Sequence, residues 1–424
     1  MKTEQRLGVV FPTDYEHLAI SRFFEDSYFF IPDNPAMHEW LGSFLSKEKL
    51  VTYKVREAGC QKNSLETLLR NSSLGEEMAK KRIGFTTVWS MDRFIDDWFR
   101  ARNIKVIAPD YAFVDLLGNK INFDNFLARN HLPKPKSWII SNLEELADIK
   151  SRLVIQEPVS SGSEGTFFVS CDKDFADLLQ ASKLKAHAPY LVREFVEGKC
   201  YGITLLIGRS RIVLSLPRIQ LFYDLSGAQR IFAGMQWDSE IPAAAMSAIN
   251  DVFSRLGNIL HQSGYFGFAN FDFILKDNQV FLIECNPRFS QSTAHVFANP
   301  LVTGGIDTLS LFVEGFFQPR ASEAKFTGIP DCAFAGCDIT LRKENLPGVP
   351  NGIYRLDHAG IDYLGPDILK FGGHPQDLML TGWFVDPAHN DEVGSITANF
   401  PLFASEYELN ETGKRLLNYV TGGR

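Results

Sequence analysis

At 424 residues and 47.8 kDa the chain has room for two or three domains with cores of their own, and 45% hydrophobic with 22% charged residues is an ordinary globular composition. A formal charge of -8 and an isoelectric point near 5.7 exclude the broad basic face that a nucleic-acid partner requires, while leaving room for a local site for a small anion. No apolar run approaches the ~20 residues of a membrane span, and MKTEQRLGVVFP lacks a signal-peptide pattern, so a cytoplasmic protein without a membrane partner is expected.

Six cysteines, at 60, 171, 200, 285, 332 and 337, form no CxxC pair or zinc spacing and read as reduced, mostly buried small hydrophobes. Residues 1 to about 115 read as an α/β segment. LGVVF (Leu7–Phe11) is a buried strand, KRIGFTTVWS a further apolar run, MDRFIDDWFRARN has helical spacing and NIKVIAPD closes with a strand. That alternation predicts a parallel sheet. No G-x-G-x-x-G follows Leu7–Phe11 and no Walker loop occurs, so a nucleotide would need another kind of holder.

A helix-like run containing Leu116, Leu117, Lys120, Phe123, Phe126 and Leu127 ends at Asn130 and is stopped by Pro133 and Pro135. Strands at Leu153–Gln156 and Thr166–Ser170 flank SSGSEG, a loop able to turn tightly and to offer backbone N–H groups to phosphate oxygens. Taken alone, that loop is more readily a plain hairpin turn. Ser161 stands where a G-x-S-x-G elbow needs glycine, which excludes a serine-hydrolase reading. Leu191–Val196 and Tyr201–Ile207 read as a further strand pair, and the segment LSLPRIQLFYDLSGAQRIFAGMQWDSEIP after them carries Arg218 and Arg230.

The stretch Gly264–Thr293 carries the most chemistry. Phe268–Leu275 and Val280–Glu284 read as two strands joined by an Asp277-Asn278 turn, with Asp272 inside the first and Glu284 and Asn286 at the end of the second. Pairing the strands would gather three oxygen ligands suited to Mg²⁺, with Arg288 two residues on to steady negative charge. Gly and Pro density between Pro347 and Pro375 predicts many turns.

The E-x-N-P-R pattern of Glu284, Asn286, Pro287 and Arg288, preceded twelve residues earlier by Asp272, resembles the metal-binding end of the ATP-grasp superfamily. LLGNK before a helix, followed by a proline-broken loop and a strand, resembles its biotin carboxylase branch, SSGSEG resembles the superfamily's phosphate loop, and LSLPRIQLFYDLSGAQRIFAGMQWDSEIP resembles the covering strand and loop of D-alanine:D-alanine ligase. The resemblance runs over about residues 105 to 317. It implies an α/β ATP-grasp fold: a parallel-sheet preceding domain over 1–115, an ATP-grasp domain over 116–319 with a small lid at about 136–200 beside a central domain, and a C-terminal subdomain over 320–424.

The same resemblance implies roles. Lys120 would touch the α-phosphate, Gly162, Ser163 and Gly165 would fold over the β and γ phosphates, and Glu194 and Val196 would clasp adenine through their backbone. Asp272, Glu284 and Asn286 would hold Mg²⁺, two ions of it, with Mn²⁺ able to substitute; Arg288, Arg230 and Arg218 would hold substrate or acyl phosphate. Two positions depart from the pattern. Gln156 stands where the family usually has a second phosphate-contacting lysine, and Cys200 where many relatives have an acid for the ribose, which leaves that task to Glu197. Arg342 has an uncertain register in a weaker C-terminal resemblance.

The activity implied is ATP-dependent ligation of a carboxylate to an amine, amino acids or a peptide, through an acyl phosphate with release of ADP and phosphate. Its partners would be those small molecules, with a homodimer left open. A biotin-carboxylase-like enzyme that activates bicarbonate and a non-catalytic nucleotide-binding protein of the same fold are the rival readings.

Overall fold

The computed structural model describes all residues except 1–2, 12, 56–64, 147–150, 161–164, 181–186, 225–229, 238–240, 343–346, 357–359, 373, 383–391 and 423–424. Strands β1 (Thr3–Val9), β2 (Phe24–Pro32), β3 (Leu50–Tyr53), β4 (Phe85–Thr87) and β5 (Lys105–Val106) form a sheet in the order β3-β2-β1-β4-β5. Every pairing in it is parallel, as alternating strands and helices require. The expected helix in MDRFIDDWFRARN spans Arg93–Arg100, capped by the Asp92 carboxylate accepting from the Ile95 amide, with Ile95 and Phe99 turned inward.

The helical run around Lys120 is two helices rather than one, Tyr111–Gly118 and Lys120–Arg129. Asn119 lies extended between them, and its Oδ1 accepts from the amides of Ile121 and Asn122. A short amide side chain that can satisfy the start of a new helix competes with continuing the old one. Lys120 is therefore the first residue of a helix.

Strands β6 (Ser137–Asn142), β7 (Leu153–Gln156), β8 (Thr166–Val169) and β9 (His187–Glu194) form a small antiparallel sheet in the order β6-β9-β7-β8. Ile140, Ile155, Phe167 and Val192 are among the residues of its separate core. These strands lie within the segment expected to be a lid.

The largest sheet contains β10 (Lys199–Ile207), β11 (Arg211–Leu214), β12 (Arg218–Asp224), β13 (Arg230–Trp237), β14 (Gly267–Lys276), β15 (Gln279–Asn286), β16 (Lys325–Thr327), β17 (Gly336–Arg342), β18 (Gly352–Leu356), β19 (Ile361–Gly365), β20 (Asp377–Gly382) and β21 (Glu392–Ala398). Its main path runs β15-β14-β10-β12-β13-β17-β21-β20-β18-β19. Strands from the last hundred residues thus continue the sheet that bears the metal-site candidates. The join is between β13 and β17, where Gly234 opposes Ile339 and Trp237 opposes Gly336. Gly234 has φ +153°, and a Cβ there would lie 1.9 Å from the Asp338 carbonyl oxygen, so only glycine fits. Buried Gln236 adds a second tie, its Oε1 accepting from the amides of Leu402 and Phe403 while its Nε2 donates to the Phe403 carbonyl.

The β14–β15 turn is as the sequence suggests. Asp277 and Asn278 have φ of 49° and 61°, the two positive values that a two-residue type I′ turn demands, and Asx residues tolerate them best after glycine. The abundant phenylalanines join the layers. Phe85 of β4 meets Phe316 and Phe317 with ring centroids 6.2 and 5.3 Å apart, docking the parallel sheet beside the helix Thr308–Phe316.

Candidate active site

The site is written into strand register. Arg218 on β12 opposes Gly202 on β10, Gly202 opposes Asp272 on β14, and Asp272 opposes Glu284 on β15, so four neighbouring strands contribute one row. A second row two residues along sets Thr204 opposite Asn270 and Asn270 opposite Asn286. Residues two apart on a strand share a face, so both rows present their side chains to one side. Glu284 reaches the row through a bulge. Asp272 pairs with Glu284 but Phe273 pairs with Leu282, leaving Ile283 as the extra residue of β15. Such a bulge re-aims the next side chain.

Charge in the row is arranged around a missing side chain. The buried Arg218 guanidinium lies over Gly202, where a Cβ would come within 3.3 Å of its Cζ. It donates to Thr204 Oγ1 at 3.1 Å and to Asn270 Oδ1 at 3.3 Å, and its Nε points at Met235 Sδ. Burial first, and the opposed Glu284 second, push the Asp272 carboxyl up to about 7, against the pull of Arg218, Gln220 and Lys120. Arg288 donates to Asn286 Oδ1 at 3.2 Å and to the Phe289 carbonyl at 3.5 Å; Asn270 Nδ2 donates to the Arg288 carbonyl at 2.8 Å.

Lys120 brings the helix and the Gly/Ser loop to this row. It is 2% exposed, unlike most helical lysines; its Nζ lies 3.4 Å from Glu284 Oε1 and donates to Ser160 O at 3.0 Å and Ser160 Oγ at 3.2 Å. Its backbone amide donates to the Pro158 carbonyl at 2.8 Å, which holds the loop's first arm against the helix start. Buried this way, an ammonium needs a counter-charge, and Glu284 supplies it.

Residues 117–292 match the family model described as an ATP-grasp domain. The chain thus carries an ATP-grasp domain over those residues. Its fold is similar to that of biotin carboxylase from Campylobacter jejuni, with a TM-score of 0.64 at 11% identity over 93% of this chain and 87% of that one. It is also similar to N5-carboxyaminoimidazole synthetase from Staphylococcus aureus, with a TM-score of 0.60 at 11% identity over 99% and 98% of the two chains. In sequence it is 23% identical over 195 residues to the arginine-specific carbamoyl phosphate synthase large chain of Geobacillus stearothermophilus, covering 45% of this chain and 18% of that protein. A match to the multifunctional protein pyrABCN of Emericella nidulans, 22% identical, covers 76% of this chain and 14% of that protein. The chain thus spans less than a fifth of the length of these curated relatives.

ATP-grasp enzymes bind ATP and Mg²⁺, and the donor set of this chain suits that cation. Among the described residues no group of three or more His, Cys, Asp and Glu could hold a metal, so Asp272 and Glu284 with the amide oxygen of Asn286 are a sparse, all-oxygen set. A hard cation that completes its shell with phosphate oxygens and water takes such sets. Two opposed carboxylates, one of them pushed toward neutrality, are also what a divalent charge would relieve.

Other expected positions are placed unevenly by the ATP-grasp fold. Gly162 and Ser163 lie outside the described residues, whereas Gly165 has φ +65° and its carbonyl accepts from the Glu157 amide, closing the loop's base. Glu194 ends β9, where its amide donates to the Lys136 carbonyl and its carboxylate pairs with Lys136 Nζ at 2.9 Å. Val196 and Glu197 follow in the turn before β10. Arg230 opens β13 opposite Asp224, and its side chain lies outside what is described. Cys200 donates its thiol to Gln220 Oε1. Arg342 has a definite register in β17, opposite Glu392, with its Nη2 3.5 Å from that carboxylate.

Sequence reading passed over Asn270, Thr204, Arg193 and Asp124. Asn270 had a signal, since it precedes Asp272 by two in an apolar strand and so shares its face. Arg193, 2% exposed, is bound by Asp124 at 3.2 Å, Gln156 Oε1 at 2.7 Å and the Ile283 carbonyl at 2.7 Å.

Beyond the row, Asp338 and His295 are both fully buried, 3.8 Å apart. Burial pushes the Asp338 carboxyl up to about 8, against a hydrogen bond with Thr397 and the charge of Arg218, and pushes His295 down to about 3. Folded protein therefore holds a proton on Asp338 that the unfolded chain has released. That contribution to stability is present below about pH 4 and is lost as pH rises through about 8. Asp338→Asn, which cannot ionise, should gain on the wild type across this window. Thermal midpoints measured from pH 5 to pH 9 should diverge in the variant's favour, and parallel curves would place the carboxyl at an ordinary value.

Proposed function

We propose that this ATP-grasp protein is a carboxylate–amine ligase. ATP would phosphorylate a carboxylate, the amine would attack the acyl phosphate, and amide, ADP and phosphate would be released. The carboxylate oxygen forms a bond to the γ-phosphorus as the bond to ADP breaks; the amine then forms C–N as C–O to phosphate breaks and its proton leaves. The observation that carries the reading is the convergence of Lys120, Asp272, Glu284, Asn286 and Arg288 at one end of the β14–β15 hairpin.

Each residue has a task that its position supports. Lys120, buried and next to Ser160, would bind phosphate oxygens beside the loop. Asp272, Glu284 and Asn286 would hold Mg²⁺, which would supply charge neutralisation and phosphate positioning. Arg288, fixed by Asn286, would pin the oxygens of the acyl phosphate while the amine approaches. Arg218 is held inside the sheet by Thr204 and Asn270, so its influence on substrate would be electrostatic, through Asp272.

Bicarbonate as the activated carboxylate is a second reading. A solved structure of the same fold, the 2-oxoglutarate carboxylase biotin carboxylase domain of Hydrogenobacter thermophilus, is described in complex with MgADP and bicarbonate, with a TM-score of 0.63 at 12% identity.

The test is a screen of amino acids and peptides for ADP release, with hydroxylamine present to trap an acyl phosphate as a hydroxamate. Arg288→Lys should lower hydroxamate formation by about 100-fold while changing ATP affinity only modestly, because an ammonium cannot reproduce the planar, two-pronged contact of a guanidinium. Stimulation of ADP release by bicarbonate and biotin, with no hydroxamate from any carboxylate, would overturn the ligase reading.

A further inference from the structure

We infer that Arg193 is a positioning residue that turns the Gln156 amide into a donor for the nucleotide phosphates. The inference rests on the proposed function only in requiring that a nucleotide occupy the site.

Gln156 ends β7 opposite Thr166, so it stands at the base of the loop whose Ser160 meets Lys120. It is 6% exposed, and Arg193 Nη1 donates to its Oε1 at 2.7 Å. A guanidinium has no acceptor, so the amide atom that faces it must be oxygen, and the amide orientation is settled. Nε2 is thereby turned the other way, 3.3 Å from Thr166 Oγ1. It carries two hydrogens, and Thr166 takes one. An amide whose oxygen is bound by a cation is a more polarised donor than a free one.

The guanidinium is itself held on three sides. Asp124 Oδ1 accepts from its Nη2 at 3.2 Å, and the Ile283 carbonyl accepts from Nη1 at 2.7 Å. Ile283 is the extra residue of the bulge that aims Glu284, and Asp124 lies on the helix that Lys120 begins. Asp124 Oδ2 also accepts from Lys134 Nζ at 2.8 Å and Ser137 Oγ at 2.7 Å, where the chain enters β6. One side chain thus ties the small sheet to both the Lys120 helix and the Glu284 strand, and it sets Gln156 relative to them. Asp124 neutralises most of its charge, which argues for action through the amide rather than by direct contact with phosphate.

Calorimetric titration with ATP and Mg²⁺ tests this in Gln156→Met, Arg193→Met, their double variant and Arg193→Met combined with Gln156→Lys. Gln156→Met should weaken ATP by about tenfold, the loss of one polarised hydrogen bond, and lower the thermal midpoint by a few degrees because buried Arg193 loses one acceptor. Arg193→Met should weaken it at least as much, and the Met/Met double variant no further, because both changes act through one amide. Lysine at 156 should restore binding in the Arg193→Met background, since an ammonium needs no cation behind it, whereas a purely structural role of Arg193 would leave binding unrestored. Wild-type affinity in Gln156→Met, or additive losses in the Met/Met variant, overturns the inference. If Arg193→Met does not fold, Gln156→Met alone decides. Absence of ATP binding by the wild type is a different failure, that of the nucleotide site itself, and removes the inference with it.

Discussion

Glu284→Gln should abolish the Mg²⁺-dependent part of ATP binding and lower ADP release by at least about 100-fold, with the fold retained. The substitution keeps the shape of the side chain and removes one negative charge from the pair that opposes β14 and β15. Two effects on the free protein act in opposite directions. Lys120 loses a carboxylate 3.4 Å away, which costs stability, but keeps its bonds to Ser160. Asp272 loses the neighbour that helps hold its carboxyl up near 7, which is favourable. The thermal midpoint should therefore shift by only a few degrees while binding changes by orders of magnitude. Titrations with ATP in the presence and absence of Mg²⁺ read this directly. If Mg²⁺ tightens ATP in the variant as much as in the wild type, Glu284 is not a ligand.

Gly234→Ala should leave little folded protein. An added methyl would sit 1.9 Å from the Asp338 carbonyl oxygen, a backbone atom that no rotamer change can move aside, at a φ of +153° that alanine disfavours. Relief requires parting β13 from β17, which breaks the sheet between its halves. A cost above about 4 kcal/mol is expected, a large part of the about 5–15 kcal/mol that holds a typical domain together. Soluble yield and the melting transition followed by circular dichroism give the readout. A variant that melts within about 2 °C of the wild type would mean that the two strands do not meet as described.

What could be read from the sequence and what could not divide along contact range. The β14–β15 hairpin was legible because its signals are local: an Asx turn and acids or amides breaking two apolar runs. The parallel first sheet was legible from alternation alone. The break at Asn119 was a local signal too, but the apolar spacing on either side of it masked the cap. Arg193 with Asp124 was not legible, since the partners are 69 positions apart and neither stands in a motif. The bulge at Ile283 was hidden as well: a one-residue shift of register leaves no mark in composition, yet it decides which side chains share the row. Nor did turn-rich composition near the C-terminus reveal that its strands pair onto β13.

That pairing bears on how the protein could be cut or transplanted. A fragment ending near residue 320 would retain the whole ATP-grasp match at 117–292, yet it would leave the β13 backbone from Gly234 to Trp237 without its neighbour. Gln236 would lose Leu402 and Phe403 as well, and the apolar Met235 and Trp237 beside it would be uncovered. An open strand with exposed amides and apolar flanks is a template for self-association. The minimal stable unit is therefore longer than the ATP-grasp match itself, and a shortened version would be expected to aggregate before it could be assayed.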